Sequence, residues 1–305
     1  MRHSAALSAL RRVVAAARWL FGPIAIVFLL AAGWHSREVF QAVISQTDAI
    51  PIVLAIALWS SLHLLSPVFS WIVLHDAGVR IDYGCLLKIH VGRLPARYLP
   101  GGIWHTVSRV VDLHEKGVTR SQLSLMLLLE NILPIGVALT LGGLCLRTAG
   151  NTSWPAVSAI AIGPTILLSG YLMVRRIFPT KLPRVSPSAY LKSVAVTFAF
   201  WTGAATAFFL YWSAFPAARF SLPTLEICGV YLVSWVAGFI TIFAPQGIGV
   251  FESVAGLLLR TSMTFGGAAI LVAGFRVAVL LADMLAFGVL LCARHTPRFC
   301  FRKER

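Results

Sequence analysis

Charged residues are scarce in this 305-residue chain. Asp, Glu, Lys and Arg make up 12% of it, whereas hydrophobic residues make up 58% and the mean hydropathy is +0.82. Soluble domains carry about 25% charged residues. The composition therefore excludes an ordinary soluble domain and indicates a protein embedded in a membrane.

Acidic residues are the rarest charged class, because 11 Asp and Glu stand against 26 Lys and Arg, a net charge of +15. The basic excess is concentrated in three places: four residues precede the first apolar run, five lie within 175–192, and five follow the last apolar run. Such clusters mark the cytoplasmic side of membrane spans. We therefore expect cytoplasmic termini and anionic membrane lipids, rather than nucleic acid, as partners.

Paired cysteines are also missing. The five Cys residues are scattered and form no Cys-x-x-Cys motif, which argues against a zinc site or a disulfide framework. The sequence shows no nucleophile pair, metal-ligand triad or nucleotide-binding motif. We therefore expect no metal, no cofactor and no enzymatic activity.

Long apolar runs are what the chain does contain. A helix needs about 20 apolar residues to cross a ~30 Å hydrocarbon core. Six runs approach this length: Leu20–Trp34, Ile50–Leu74, Ser121–Leu146, Trp154–Val174, Ser193–Phe215 and Gly266–Cys292. We predict an all-α polytopic membrane protein forming one integral membrane domain over residues 1–305. The first run is short and ends near Ala31-Ala32-Gly33, so a cleaved signal peptide is the alternative.

Two regions, 81–118 and 222–262, do not fit a single helix that crosses the membrane. If residues 1–18 and the basic tail 294–305 are both cytoplasmic and six helices cross, each region has to enter and leave on one side of the membrane. We predict two re-entrant helical hairpins that enter from opposite faces.

The turns of these two hairpins resemble each other. The first reads Tyr-Leu-Pro-Gly-Gly-Ile over 98–103, and the second reads Phe-Ala-Pro-Gln-Gly-Ile over 243–248. This match favours an inverted internal repeat. Pro and Gly would end a half-helix at membrane depth, and the N–H groups that start the next half-helix would favour an anion such as a lipid phosphate.

The two blocks also resemble the membrane domain of bacterial lysylphosphatidylglycerol synthases, a flippase-like superfamily. "RYLPGGIWHTVSRVVDLHEKGVTRSQLSLMLLLENIL" is similar to its first motif block, and "PQGIGVFESVAGLLL" with the Arg-bearing last helix is similar to its second. The chain departs from the family at Trp104, His105, Thr106 and Asn131. The resemblance implies a stand-alone member that lacks the aminoacyl-transferase domain and keeps the lipid-translocating part. It carries family positions onto Pro100, Gly101, Arg109, Gly117, Thr119, Glu130, Pro245, Gly247, Gly249, Glu252 and Arg276.

Charges inside apolar helices need a partner or water. Arg276 is expected to meet Glu252 or Glu130, while Asp283 lies on the same helix face seven residues on, too far along it to pair directly. The predicted substrate-binding residues are Pro100, Gly101, Gly102, His105, Arg109, Glu130, Pro245, Gly247, Gly249, Glu252, Arg276 and Asp283.

Three groups of residues also have purely structural interpretations. Arg109 would share a surface charge ladder with Asp112 and Lys116. Tyr98 and Trp104 would belong to an aromatic belt at the membrane interface. His63 would be a packed hydrogen-bonding residue between helices rather than a proton relay.

Three function classes fit these features. The first is a flippase or lipid transporter of the inner, plasma membrane that moves an anionic, phosphate-bearing lipid or lipid-linked precursor between leaflets. The second is a non-catalytic membrane partner of a lipid-modifying or glycosyl transferase. The third, least favoured, is an intramembrane lipid-processing enzyme using Glu130, Glu252 and His105.

Overall fold

The regular structure of this protein is helical wherever it is described. The computed structural model describes residues 47–98, 103–177, 183–215, 222–241, 247–259 and 265–294, and no strand occurs in these ranges. The helices are α1 Ala49–Leu62, α2 Leu65–Asp76, α3 Tyr83–Gly92, α4 Trp104–Glu115, α5 Arg120–Thr148, α6 Trp154–Leu172, α7 Pro187–Ser213, α8 Thr224–Ile240, α9 Val250–Leu258 and α10 Phe265–Arg294. The predicted all-α class is confirmed for this part of the chain.

Five helical segments are long and apolar enough to cross a membrane: Ala49–Asp76, Arg120–Thr148, Trp154–Arg176, Pro187–Ser213 and Phe265–Ala293. They contain 23 to 29 residues, about 35 to 44 Å at ~1.5 Å per residue. Five of the six predicted runs therefore coincide with helices long and apolar enough to cross a membrane, as in a multi-pass membrane protein. The sixth, Leu20–Trp34, lies outside the described residues, as do 1–18 and almost all of the tail 294–305.

The first of these segments is interrupted. α1 ends at Leu62 and α2 begins at Leu65, so His63 and Leu64 form a short turn inside the predicted continuous helix Ile50–Leu74. Pro67 explains the break, because proline has no N–H to donate to the carbonyl of His63 four residues earlier. The hydroxyl of Tyr83 donates to the Leu64 carbonyl at 2.8 Å. The turn therefore places His63 at a bend.

Short helices occupy the two regions predicted as hairpins. In 81–118, the Asp82 side chain caps α3 by accepting the Gly84 N–H at 2.8 Å. A 3₁₀ turn, Leu94–Tyr98, precedes α4. In 222–262, the 17-residue α8 packs against the nine-residue α9. Both regions therefore contain short helices, and the re-entrant hairpins stay a prediction, because the turn residues Pro100, Gly101, Gly102 and Pro245 lie outside the described part.

The described residues form two compact units. The first unit takes its residues from Met1–Ala55, Pro134–Leu167 and Ala205–Val277, and the second from Ile56–Leu133, Leu168–Ala204 and Ala278–Arg305. Each unit contains one of the short-helix pairs, because α8 and α9 belong to the first unit and α3 and α4 to the second.

Glycines set the helix spacing in the first unit. A Cβ on Gly163 of α6 would lie 2.6 Å from the backbone N of Thr140 and 2.8 Å from the carbonyl O of Gly136, both in α5. Likewise, a Cβ on Gly229 of α8 would lie 2.9 Å from the carbonyl O of Gly142. Small residues of this kind let helix backbones approach closely in membranes.

Gly247 makes a very close backbone approach in the second short-helix pair. Its φ is +68°, and a Cβ there would lie 2.6 Å from the Cα of Gly238 in α8. Two separate penalties therefore exclude a side chain: the left-handed conformation costs about 1–2 kcal/mol, and forced overpacking typically costs about 1–3 kcal/mol more.

Gly247→Ala is accordingly expected to lower the melting temperature of the purified protein more than Gly150→Ala. Gly150 is the matched control, because its φ is +88° but a Cβ there meets nothing within 4 Å. Thermal unfolding of both variants in one detergent measures the difference. Equal shifts would show that the approach to Gly238 contributes nothing to stability.

Candidate functional site

The start of α9 forms the first candidate site. Gly249 has a φ of +86°, a conformation that suits glycine, and precedes the helix. Glu252 turns back, and its Oε2 accepts the Gly249 N–H at 2.7 Å. This satisfies one of the N–H groups that a helix start leaves unpaired. The other oxygen, Oε1, accepts from Nε of Arg276 in α10 at 2.5 Å.

Burial differs between the two partners of this pair. The Glu252 side chain is 0% exposed, whereas the Arg276 side chain is 29% exposed. The Arg276 guanidinium carbon also lies 5.2 Å from the centre of the Phe251 ring, at cation–π distance. Phe251 packs edge-on against Tyr231. Of the two partners expected for Arg276, the structure places Glu252 beside it, and a packed aromatic ring orients the cation.

A second Arg–Glu pair lies in the second unit. Nη1 and Nη2 of Arg109, in α4, donate to the two carboxylate oxygens of Glu130, in α5, at 2.6 and 3.2 Å. Arg109 Nη2 also lies 3.4 Å from the Ser70 hydroxyl. The Arg109 side chain is 6% exposed and the Glu130 side chain 28%. This pair is the reverse of the first, because here the cation is the buried member.

The interpretation of Arg109 as part of a surface charge ladder was wrong. Asp112 accepts instead from Arg93, at 2.7 Å from both Nε and Nη2. The helical spacing favoured Asp112 as a neighbour of Arg109, but the partner lies 21 residues away on another helix.

Asp283 of α10 collects three donors within the second unit. Its Oδ1 lies 2.8 Å from Nε2 of His63, and its Oδ2 lies 2.8 Å from the Tyr98 hydroxyl and 3.2 Å from Nη1 of Arg97. The Asp283 side chain is 0% exposed. Asp283 thus pairs with residues of other segments rather than with Arg276, in agreement with the predicted distance along the helix. Tyr98 is a hydrogen-bonding residue rather than merely an interfacial aromatic.

Histidines extend the Asp283 cluster. Nδ1 of His63 lies 3.3 Å from Nε2 of His90, and the ring centres of His90 and His105 are 5.4 Å apart at 82°. His105 was a predicted site residue. His63 was discounted and His90 was not selected. The sequence did contain a signal for His63, because it lies in an uncharged apolar run four residues before Pro67, where a helix is expected to bend. That signal does not show which residues His63 contacts.

The structure brings the described site residues together in three groups. Gly249, Glu252 and Arg276 meet in the first unit, with Gly247 close by on the same turn. Arg109 meets Glu130 in the second unit. Asp283 contacts His63, Arg97 and Tyr98, and His90 and His105 lie beyond His63. Among the described residues, no three His, Cys, Asp or Glu side chains are grouped so as to hold a metal ion.

No known family model and no curated protein matches this chain. The resemblance to the membrane domain of lysylphosphatidylglycerol synthases therefore stays a prediction from sequence motifs. The function has to be inferred from the chemistry of the three groups.

Proposed function

We propose that the protein moves an anionic, phosphate-bearing lipid or lipid-linked precursor between the leaflets of the cell inner membrane. The observation that carries the proposal is the Arg276–Glu252 pair. A guanidinium matches a phosphate with two parallel hydrogen bonds. With 29% of its side chain exposed, Arg276 can reach a headgroup while the buried carboxylate orients it.

Glu252 keeps a hydrogen-bond partner when Arg276 exchanges it for a lipid phosphate. Its Oε2 remains hydrogen-bonded to the Gly249 N–H while Arg276 turns toward the lipid. When Arg276 leaves, Glu252 becomes a buried charge without its cation, which costs several kcal/mol. The Gly249 N–H offsets only part of this cost, and the remainder favours the return of Arg276 to Glu252 after the lipid is released.

The second Arg–Glu pair supports the same chemistry in the second unit. Along the sequence, the first short-helix pair supplies Arg109 and the following long helix supplies Glu130, whereas the second supplies Glu252 and the following long helix supplies Arg276. Each unit thus has one charge on a short helix and one on a long helix. This arrangement is consistent with an inverted-repeat transporter that works by alternating access.

Purified protein in phosphatidylglycerol vesicles tests the proposal. Tail-labelled fluorescent phosphatidylglycerol is expected to become accessible to an external quencher faster than in protein-free vesicles. If the labelled lipid becomes accessible at the same rate with and without the protein, the proposal is overturned. Because these vesicles contain no second protein, movement would argue against an obligatory transferase partner, and unchanged lipid on chromatography would argue against a lipid-processing enzyme.

The distribution of basic residues predicts the orientation of the described loops. The loop after α2 should be cytoplasmic and the loop after α5 should face outward. In a cysteine-free background, Thr152→Cys is expected to react with a membrane-impermeant maleimide in intact cells, and Arg80→Cys only after permeabilisation. Both positions are exposed. Labelling of both from outside would contradict cytoplasmic termini.

A further inference from the structure

A basic cavity lies between the end of α6 and the start of α7, within the second unit. Its volume is about 420 Å³, and it is lined by Asp76, Arg175, Arg184, Val185, Ser186 and Pro187. Small-molecule sites in proteins typically measure about 300–1,000 Å³. The cavity therefore has room for a small polar group, and its lining residues are separate from the three groups described above.

The carboxylate in this cavity already has partners. Oδ1 of Asp76, the last residue of α2, accepts from the Ser186 hydroxyl at 2.7 Å, and Oδ2 accepts from the Ser186 N–H at 2.8 Å. The Ser186 hydroxyl in turn accepts the Ala189 N–H at 3.1 Å. Asp76 thus joins the end of α2 to the start of α7, and it forms no ion pair with either cavity arginine.

Arg175 is held in place by a neutral group. It donates to the Tyr171 hydroxyl one helical turn earlier, and its guanidinium carbon lies 5.7 Å from the centre of the Tyr171 ring, at cation–π distance. Tyr171 packs against Tyr190 of α7, with ring centres 5.1 Å apart. These contacts orient the Arg175 guanidinium without neutralising its charge.

Arg184 adds a second charge that is not neutralised. Among the described residues it forms no ion pair, and it is exposed. The surrounding sequence supplies no carboxylate, because residues 171–192 contain five basic residues and no Asp or Glu. Two guanidinium groups that line one cavity repel each other, and an anion placed between them turns this repulsion into attraction.

We propose that Arg175 and Arg184 together bind one phosphate group, carried either by an anionic lipid headgroup or by a free phosphate anion. A phosphate accepts two parallel hydrogen bonds from a guanidinium, and it has enough oxygens to serve both arginines. The segments Trp154–Arg176 and Pro187–Ser213 are long enough to cross a membrane, so the cavity between their ends lies near the lipid headgroups. The headgroups are those of the leaflet predicted to be cytoplasmic.

A phosphate bound here connects two consecutive membrane-length helices. Arg175 lies in the π-helical turn Met173–Ile177 at the end of α6, and Arg184 lies just before α7. A ligand that binds the folded protein raises its stability by mass action. Such binding involves none of the residues that carry the proposed function, and it requires no lipid movement.

Thermal unfolding of the full-length protein in a nonionic detergent tests the site. Three probes are titrated separately at one ionic strength: dioctanoyl phosphatidylglycerol, inorganic phosphate, and dioctanoylglycerol, which has no phosphate. Phosphatidylglycerol is expected to raise the melting temperature by a few degrees, and dioctanoylglycerol is not. An equal shift with dioctanoylglycerol, or no shift with either phosphate probe, would overturn the proposal.

Glutamine variants locate the binding. Arg175→Gln and Arg184→Gln each remove charge-assisted hydrogen bonds to the phosphate, so each should raise the half-saturating phosphatidylglycerol concentration about tenfold. Arg176→Gln is the matched control, because it removes an exposed charge from the neighbouring position, which does not line the cavity. It should bind as the wild type does. Equal weakening in all three variants would show diffuse attraction to a basic surface and would overturn the site.

Inorganic phosphate distinguishes the two sources of the ligand. If it stabilises the wild type as strongly as phosphatidylglycerol at equal concentration, and both cavity variants lose the effect, the site binds a free anion. If phosphatidylglycerol alone stabilises, the site binds a lipid. Binding at Arg276 adds the same shift to the cavity variants and to Arg176→Gln, so the difference between them reports the cavity alone. The cavity site and the proposed lipid movement can therefore fail separately.

Discussion

Arg276→Ala is expected to cause one of the largest losses of stability of any single substitution in the described chain. Among the described residues, it leaves the fully buried Glu252 with the Gly249 N–H as its remaining hydrogen-bond donor. Breaking a buried ion pair by removing one partner costs about 3–5 kcal/mol. Thermal unfolding in detergent should show the loss, and vesicles containing the variant should move labelled phosphatidylglycerol no faster than protein-free vesicles.

Arg276→Lys separates phosphate recognition from structural pairing. Lysine keeps the charge but lacks the planar fork that binds phosphate through two hydrogen bonds. We therefore expect largely retained thermal stability with clearly slower lipid movement. Arg93→Lys is the matched control, since it changes another two-point Arg–carboxylate pair whose arginine is 46% exposed, and it should leave movement unchanged. Wild-type rates in the Arg276→Lys variant would end the proposal that Arg276 binds a headgroup.

The Arg109–Glu130 pair is expected to show the opposite asymmetry. Its buried member is the cation, so Glu130→Ala strands a guanidinium that is 6% exposed, and the loss should be about 3–5 kcal/mol. Arg109→Ala strands a carboxylate that is 28% exposed and so only partly enclosed by the protein, and its cost should be smaller.

The order of the four alanine variants is therefore the prediction. In the first pair, Arg276→Ala should destabilise more than Glu252→Ala, and in the second pair Glu130→Ala should destabilise more than Arg109→Ala. Melting temperatures measured in one detergent check the order. If the arginine variant is the less stable one in both pairs, or the glutamate variant is in both, then burial of the remaining charge does not determine the loss of stability.

The long helices were predictable because length and apolar composition determine whether a segment can cross a membrane. The runs Ser121–Leu146 and Gly266–Cys292 have counterparts in the long helices α5 and α10. The bend at His63 was not predicted, because the run Ile50–Leu74 is apolar throughout, while Pro67 within it lacks the N–H that the helix needs one turn earlier.

The candidate site was predictable only in part. Arg276 and Glu252 could be linked because a charge in an apolar helix requires a partner and few carboxylates were available. The partners of Asp283 could not be found this way, since His63 and Arg97 lie 220 and 186 residues away along the chain. Helical periodicity describes neighbours on one helix and carries no information about contacts between distant helices.

The close contact between α5 and α6 also bears on how the chain is made. These helices follow one another through a short turn around Gly150, and the missing side chains of Gly136 and Gly163 let the two helices approach closely. The Thr140 hydroxyl at this contact already donates to the Gly136 carbonyl at 2.7 Å, so it needs no partner from later in the chain. The two helices can therefore associate as soon as both have left the ribosome and entered the bilayer, before α7 to α10 are synthesised.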